Sequence, residues 1–250
     1  MGGSGGSGSH REQPVAESTR ALVVTGLLLL TCASGVVDAL CYFSLDQVFA
    51  GNMTGNVLFL GFALVGEAGN PVNNGIAVLG FLVGATAAGR LVPHGRRDVV
   101  PTSTLWTLAG GTTFAALLCG AWVLAGDLGT GGTLAVSALL SVVMGSQLNA
   151  VKPIGNANIT TVVVTGTLGN LARDSRLAGA PPDVHSNWVD RSLAVVALAL
   201  GAAAGAALDR RVSPAAALGL AVVLMLAGAA VLLVVRRRQL TARRAALQAG

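Results

Sequence analysis

Asp38-Ala39 … Met53-Thr54-Gly55-Asn56-Val57-Leu58 and Asn149-Ala150 … Val164-Thr165-Gly166-Thr167-Leu168-Gly169 are two stretches of one chain that look like copies of each other. Asp38 to Asn149 and Thr54 to Thr165 are the same distance apart, 111 residues. Both copies lie in hydrophobic sequence. A polar motif repeated in lipid-soluble sequence is how many small-solute transporters build a central site. Internal duplication is therefore the first property to explain.

The 250 residues are 53% hydrophobic and 11% charged, with a mean hydropathy of +0.70. Those values lie far from soluble globular norms and indicate an integral membrane protein. Met1 to His10 read as a Gly/Ser linker and are set aside. The apolar stretch from Ala21 to Phe43 is long enough to cross a bilayer, so it reads as a retained helix, not a cleaved signal. Cys32, Cys41 and Cys119 are scattered through apolar sequence and form no disulfide framework. No His/Cys/Asp cluster has metal spacing, and no cofactor motif is present. The basic residues flank hydrophobic segments, which fits membrane orientation and not nucleic-acid binding. GxSxG, HExxH and P-loop signatures are missing, so no catalytic residue and no enzyme is expected.

Six segments are long enough to cross: 21–43, 74–92, 104–125, 132–151, 190–209 and 214–235. Two more, 51–66 and 159–172, are shorter and carry the Thr-Gly motifs. Lys and Arg concentrate on the cytoplasmic side. If both short segments return to the face they left, one face collects Arg11, Arg20, Arg90, Arg96, Arg97, Lys152, Arg173, Arg176, Arg191, Arg236, Arg237, Arg238, Arg243 and Arg244. Only Arg210 and Arg211 then fall on the other. If both cross, Arg90 to Arg97 lie opposite the C-terminal arginines. The expected fold is thus all-α and polytopic, with six transmembrane helices, two short re-entrant or broken helices, and both termini cytoplasmic. Residues 1–20 form the linker and N-terminus, 21–125 and 126–238 two membrane repeats, and 239–250 a basic tail. Three crossings per half make the repeat an inverted one. Gly84-Ala-Thr-Ala-Ala-Gly89-Arg90 resembles Gly201-Ala-Ala-Ala-Gly205 … Arg210 and supports the pairing. The latter's GxxxG spacing suits close helix packing inside the bundle.

Asp38 is an acid with apolar sequence on both sides, and an ionisable group there is a functional hypothesis by default. Asn149 stands at the matching place in the second half, which suggests one shared polar site with a single titrating member. Gly51 and Gly55 permit backbone to leave helix geometry at depth. Asn52 or Thr54 can cap the helix that follows, and Thr160, Thr161 or Thr165 can do so in the second copy. The exposed N–H groups would attract a polar solute or the Asp38 carboxylate. The expected site comprises Asp38, Tyr42, Asn52, Thr54, Gly55, Asn56, Gln147, Asn149, Thr161, Thr165, Gly166 and Thr167. Tyr42 lies one turn beyond Asp38, within reach of it or of the interface. Trp106 and Trp122 read as interfacial belt residues at opposite ends of 104–125.

Ser34-Gly35-x-x-Asp38-Ala39 … Phe49-x-x-x-Met53-Thr54-Gly55-Asn56 … Leu60-Gly61 resembles the YoaK-type family of bacterial membrane proteins, a domain of unknown function. Met144-Gly145-x-Gln147 … Asn149-Ala150 … Thr160-Thr161-x-x-x-Thr165-Gly166-Thr167-Leu168 is similar to the same family, except that Leu148 here separates Gln147 from Asn149. The resemblance covers about residues 20–238. It implies a multi-pass inner-membrane protein of about six helices and supplies no substrate. From the residues, the expected function is a small-solute transporter or permease with Asp38 as the proton- or cation-coupling group. A channel of the same architecture and a non-transporting scaffold or lipid-interacting protein are the alternatives. The expected partners are the lipid bilayer, an unidentified small solute and, at this size, a second copy in a homodimer.

Overall fold

Each of the six long apolar runs forms one helix, because lipid supplies no partner for backbone N–H and C=O groups and a helix satisfies them internally. The computed structural model describes residues 9–67, 70–154, 164–175, 178–179 and 188–249, with backbone alone at 9–18, 164–165 and 249. In chain order the helices are α1 (Ser9–Ser44), α2 (Met53–Ala63), α3 (Pro71–Leu91), α4 (Thr102–Ala125), α5 (Gly129–Val151), α6 (Val164–Arg173), α7 (Trp188–Arg211) and α8 (Pro214–Ala249). No strand occurs among the described residues. The chain is an all-α polytopic membrane protein, with α1 (from Thr19), α3, α4, α5, α7 and α8 apolar and long enough to span.

Contacts between helices fix their directions. Gly26 meets Leu232 and Gly228, whereas Leu30 meets Gly228, so α1 and α8 run antiparallel. Arg236 bonds Val100 and Thr102 at one end of α4, and Cys119 reaches Ala215 at the other, so α4 and α8 are also antiparallel. Thr104 donates to the Ala150 carbonyl while Gly111 faces Val143, which sets α5 against α4. Gly80 lies on Ala138 and Gly84 on Val142, so α3 and α5 are parallel. Gly201 lies on Cys32 and Gly205 on Val36, so α1 and α7 are parallel. It follows that α1, α4 and α7 point one way and α3, α5 and α8 the other. The chain leaves α1 and enters α3 at the same end, so the α2 segment does not carry it across. The same holds for the segment between α5 and α7.

The start of α1 and the end of α8 lie at one face, along with Arg20, Arg90, Arg96, Arg97, Lys152, Arg173, Arg191 and the arginines of α8. We call it the basic face, and the other, with Arg210 and Arg211, the opposite face. The core surrounds α1 and α5. Leu27, Leu30, Val36 and Leu40 of α1 share one buried cluster with Leu140 and Met144 of α5 and with Leu218, Met225 and Leu232 of α8. One sequence expectation changes. Trp106 is 74% exposed as a belt residue should be, but Trp122 is 6% exposed and belongs to the buried cluster. Residues 239–249 continue α8 as one helix.

Candidate functional site

The first Thr-Gly hairpin is built on a tight reversal. Past Ser44 the chain takes two successive left-handed residues, Asp46 (φ 59°) and Gln47 (φ 57°). A non-glycine residue pays roughly 1–2 kcal/mol for that conformation. The turn is held from α3, where Asn73 Nδ2 donates to the Leu45 carbonyl at 2.7 Å and Asn70 Nδ2 to Asp46 Oδ2 at 3.4 Å. It sends the chain back along α1, so residues 50–52 arrive beside Asp38. The Gly51 amide donates to Asp38 Oδ1 at 2.7 Å, and the backbone of Ala50 and Asn52 lies beside the same carboxylate. Successive N–H groups turned towards one anion make a backbone nest. Its occupant here is the chain's own acid.

The rest of the motif secures that nest. Asn52 is the N-cap of α2 and accepts from the Gly55 amide at 3.4 Å. Asn56, fully buried, accepts from the Phe49 amide at 2.9 Å and donates to the Phe49 carbonyl at 2.7 Å. Its side chain is therefore committed to the loop. Gly55 lies under the Phe49 ring, where a Cβ would come within 2.7 Å of Cδ2. Phe49 in turn stacks between Tyr42 (5.5 Å) and Phe59 (6.2 Å). Tyr42 therefore serves the aromatic stack. Thr54 is exposed. On the α7 side, Ser44 Oγ donates to Asp209 Oδ1 at 2.6 Å, and the Arg210 guanidinium sits 5.3 Å from the centre of the Phe43 ring.

The second-half residues are placed differently. Gln147 Nε2 reaches α1, donating to Ser34 Oγ at 3.0 Å and the Leu30 carbonyl at 3.3 Å. Asn149 Nδ2 reaches α3 and donates to the Ala85 carbonyl at 2.6 Å. Two residues turn a helix by about 200°, so α5 shows these amides to different neighbours. Gln147 is level with Leu30–Ser34. Asp38 lies six residues to one side of that level and Asn149 two to the other, about 12 Å apart along the bundle. Asp38 and Asn149 do not meet. Gly166 is exposed and Thr167 is buried, whereas Thr165 is described by its backbone alone. Thr160 and Thr161 lie outside the described residues.

The glycine contacts explain the mismatch. Gly35 stands against the Leu198 carbonyl and the Ala202 amide; Gly145 stands against the Phe81 carbonyl and the Ala85 amide. Gly201 stands against the Cys32 backbone, and Gly84 against that of Val142. The first helix of each half thus corresponds at an offset of 110, and the third at 117. The Thr-Gly motifs correspond at 111. On the helix scale Asn149 matches Ala39, and Asp38 matches Leu148. The expected acid–amide pairing is shifted by one residue, about 100° of helix.

The basic-face hairpin is ionic. Arg191 Nη1 bonds Asp174 Oδ2 and the Asn170 carbonyl, and Arg173 Nε also pairs with Asp174. The Arg191 guanidinium, with that of Arg173, holds the Asp174 carboxyl below the usual carboxylate range. Arg20 pairs with Asp190 at 3.2 Å. The sequence reading passed over Ser34, Phe49 and Asp209. Ser34 and Phe49 sit inside the quoted motif, but their roles depend on which groups face them.

Residues 26–231 match the family described as "Protein of unknown function (DUF1275)". The chain is 35% identical over 156 residues to the UPF0700 transmembrane protein YoaK of Bacillus subtilis (strain 168), covering 60% of this chain. The matched region spans 66% of that relative's length. No solved structure matches. With the matched residues reaching into all six spans, the chain belongs to the DUF1275 family of transmembrane proteins.

Proposed function

We propose that this protein is a small-solute transporter of the bacterial cytoplasmic membrane, not an enzyme, built from two inverted repeats with both termini cytoplasmic. The reciprocal glycine contacts carry this reading. The pair α1/α7 and the pair α5/α3 have matching close approaches and point in opposite directions. That relation is a pseudo-two-fold axis in the membrane plane, the arrangement on which alternating access operates. Glycine-lined crossings let the two pairs rock as units, because backbone meets backbone without interlocking side chains.

Asp38 is the coupling group in this reading. Charged, its carboxylate holds the nest at residues 50–52; protonated, it is a poorer acceptor and the hairpin loosens. Binding of a proton or cation at Asp38 is thereby tied to movement of α2 at the opposite face. A homodimer fits the small size of the chain.

The test uses proteoliposomes loaded with the pH dye pyranine and exposed to a panel of small solutes under a pH gradient. Wild-type protein should show solute-dependent proton movement, and Asp38→Asn should abolish it while remaining folded. Solute-independent conduction that survives Asp38→Asn would indicate a channel. No flux in either protein would indicate a scaffold, and the transporter reading would be given up.

A further inference from the structure

The basic face divides into two sectors that handle charge differently. Around the start of α7 the chain answers its own charges: Asp174 pairs with Arg191 and Arg173, and Asp190 with Arg20. The other sector comprises the end of α3, the 92–101 loop and the ends of α5 and α8. It carries Arg90, Arg96, Arg97, Lys152, Arg237 and Arg238, all exposed. None of them makes an ion pair among the described residues, and the one acid described there, Asp98, is exposed as well. The negative dipole ends of α3 and α5 account for Arg90 and Lys152. They do not account for the other four. Three bonds hold the sector as one surface. The Arg97 amide donates to the Pro153 carbonyl at 2.9 Å, the Val100 amide to Gln239 Oε1 at 3.0 Å, and Arg236 Nε to the Val100 carbonyl at 3.1 Å.

The layout beneath these charges specifies the partner. Arg237 and Arg238 follow Leu233 and Val234 by four residues, so each cation stands one turn beyond an exposed apolar side chain on the same face of α8. Arg236 Nη2 donates to Thr102 Oγ1 at 2.6 Å, and exposed Trp106 lies one turn further into α4. On α3, Arg90 adjoins exposed Leu91. Cations at the water boundary with apolar side chains below them match the outline of a phospholipid, a phosphate above hydrocarbon chains. Guanidinium groups bind phosphate through paired hydrogen bonds. A soluble acidic partner has no use for the apolar tier and would instead engage Arg243 and Arg244. Those two lie about 9 Å further along α8, roughly one Debye length beyond Arg237 and Arg238. We propose that this sector binds anionic phospholipids of its own leaflet, and that the sector around α7, neutralised internally, does not select them. The inference does not depend on transport.

The measurement is quenching of single tryptophans by brominated lipid, with the full chain in phosphatidylcholine vesicles. One reporter keeps Trp106 (Trp122→Phe, Trp188→Phe). The other keeps Trp188, the exposed first residue of α7 (Trp106→Phe, Trp122→Phe). Quenching by brominated phosphatidylglycerol is compared with quenching by brominated phosphatidylcholine. Phosphatidylglycerol should be preferred about threefold or more at Trp106 and less than about 1.5-fold at Trp188. Arg96→Gln, Arg97→Gln, Arg237→Gln and Arg238→Gln together, all exposed changes, should lower the preference at Trp106 to that at Trp188, with the melting temperature unchanged. Arg243→Gln with Arg244→Gln should leave it in place. The proposal is overturned if Trp106 shows no preference, if both reporters show the same one, or if the fourfold variant retains it. Loss of the preference in the Arg243→Gln, Arg244→Gln variant would overturn it too.

Discussion

At the opposite face the chain reverses on amides, and at the basic face it reverses on ions. Asn73 and Asn74 at the start of α3 correspond, at the offset of 117, to Asp190 and Arg191 at the start of α7. Asn74 donates to the Asn70 carbonyl; Arg191 donates to the Asn170 carbonyl and pairs with Asp174. Asn73 and Asn74 fix the start of α3 to the turn after α1, and Arg191 fixes the start of α7 to the end of α6. The two junctions differ because charge near a span is tolerated unequally at the two faces: fixed positive charge concentrates on the side that is not translocated. Amides orient a turn without charge. The charged groups at the opposite face take uncharged partners: Asp38 the Gly51 amide, Asp46 the Asn70 amide, Asp209 the Ser44 hydroxyl and Arg210 the Phe43 ring.

The comparison breaks first if the halves are not equivalent where they pack. Gly35→Val and Gly145→Val should both destabilise severely, by about 3 kcal/mol or more, since each new side chain would strike backbone of the facing helix. Thermal unfolding in detergent measures this, and a large loss at one site with none at the other would deny the correspondence. Gly61→Val, where a Cβ meets open space, is the control.

A smaller effect separates the two hairpins. Asn56→Ala should cost about 1–3 kcal/mol, because it strands the Phe49 amide and carbonyl that the side chain now satisfies. Hydrogen exchange should quicken at residues 45–56 and stay unchanged at α6. Equal exchange in the two hairpins would mean that the nest is not an independent unit.

The smallest expected effect is the acid response of the basic face. Asp174 has its folded-state pKa lowered by Arg191 and Arg173, so its contribution is present above the unperturbed value near 4 and is lost as pH falls through the lower folded value. Fluorescence of Trp188, at the first residue of α7, can follow this with Trp106 and Trp122 replaced by Phe. An acid transition below about pH 4 that Asp174→Asn removes would match the ionic junction. A transition that Asp174→Asn leaves in place would assign it elsewhere.

Much of this was legible in the chain. Lipid permits few structures, so apolar runs of sufficient length become spanning helices, and the bias of Lys and Arg orients them. The first Thr-Gly copy announced a reversal, and Asn52 capped the helix as its residue type suggested. Less legible were the side-chain partners. Asn56 looked like a site residue and is a loop brace; Trp122 looked like a belt residue and is covered by neighbouring helices. Such outcomes depend on which helix stands opposite, and linear spacing does not state that.

By itself the sequence determined the number of crossings, the two copies of the Thr-Gly motif and the face that carries the positive charge, since each follows from local hydropathy and residue type. Only the tertiary structure decided the register between the halves: 110 for the first helices, 111 for the Thr-Gly motifs and 117 for the third helices. The physical reason is angular. One residue of slip leaves a sequence match almost unchanged, yet it turns a helical side chain by about 100°, and so it gave Asp38 a nest of amides and Asn149 a different neighbour.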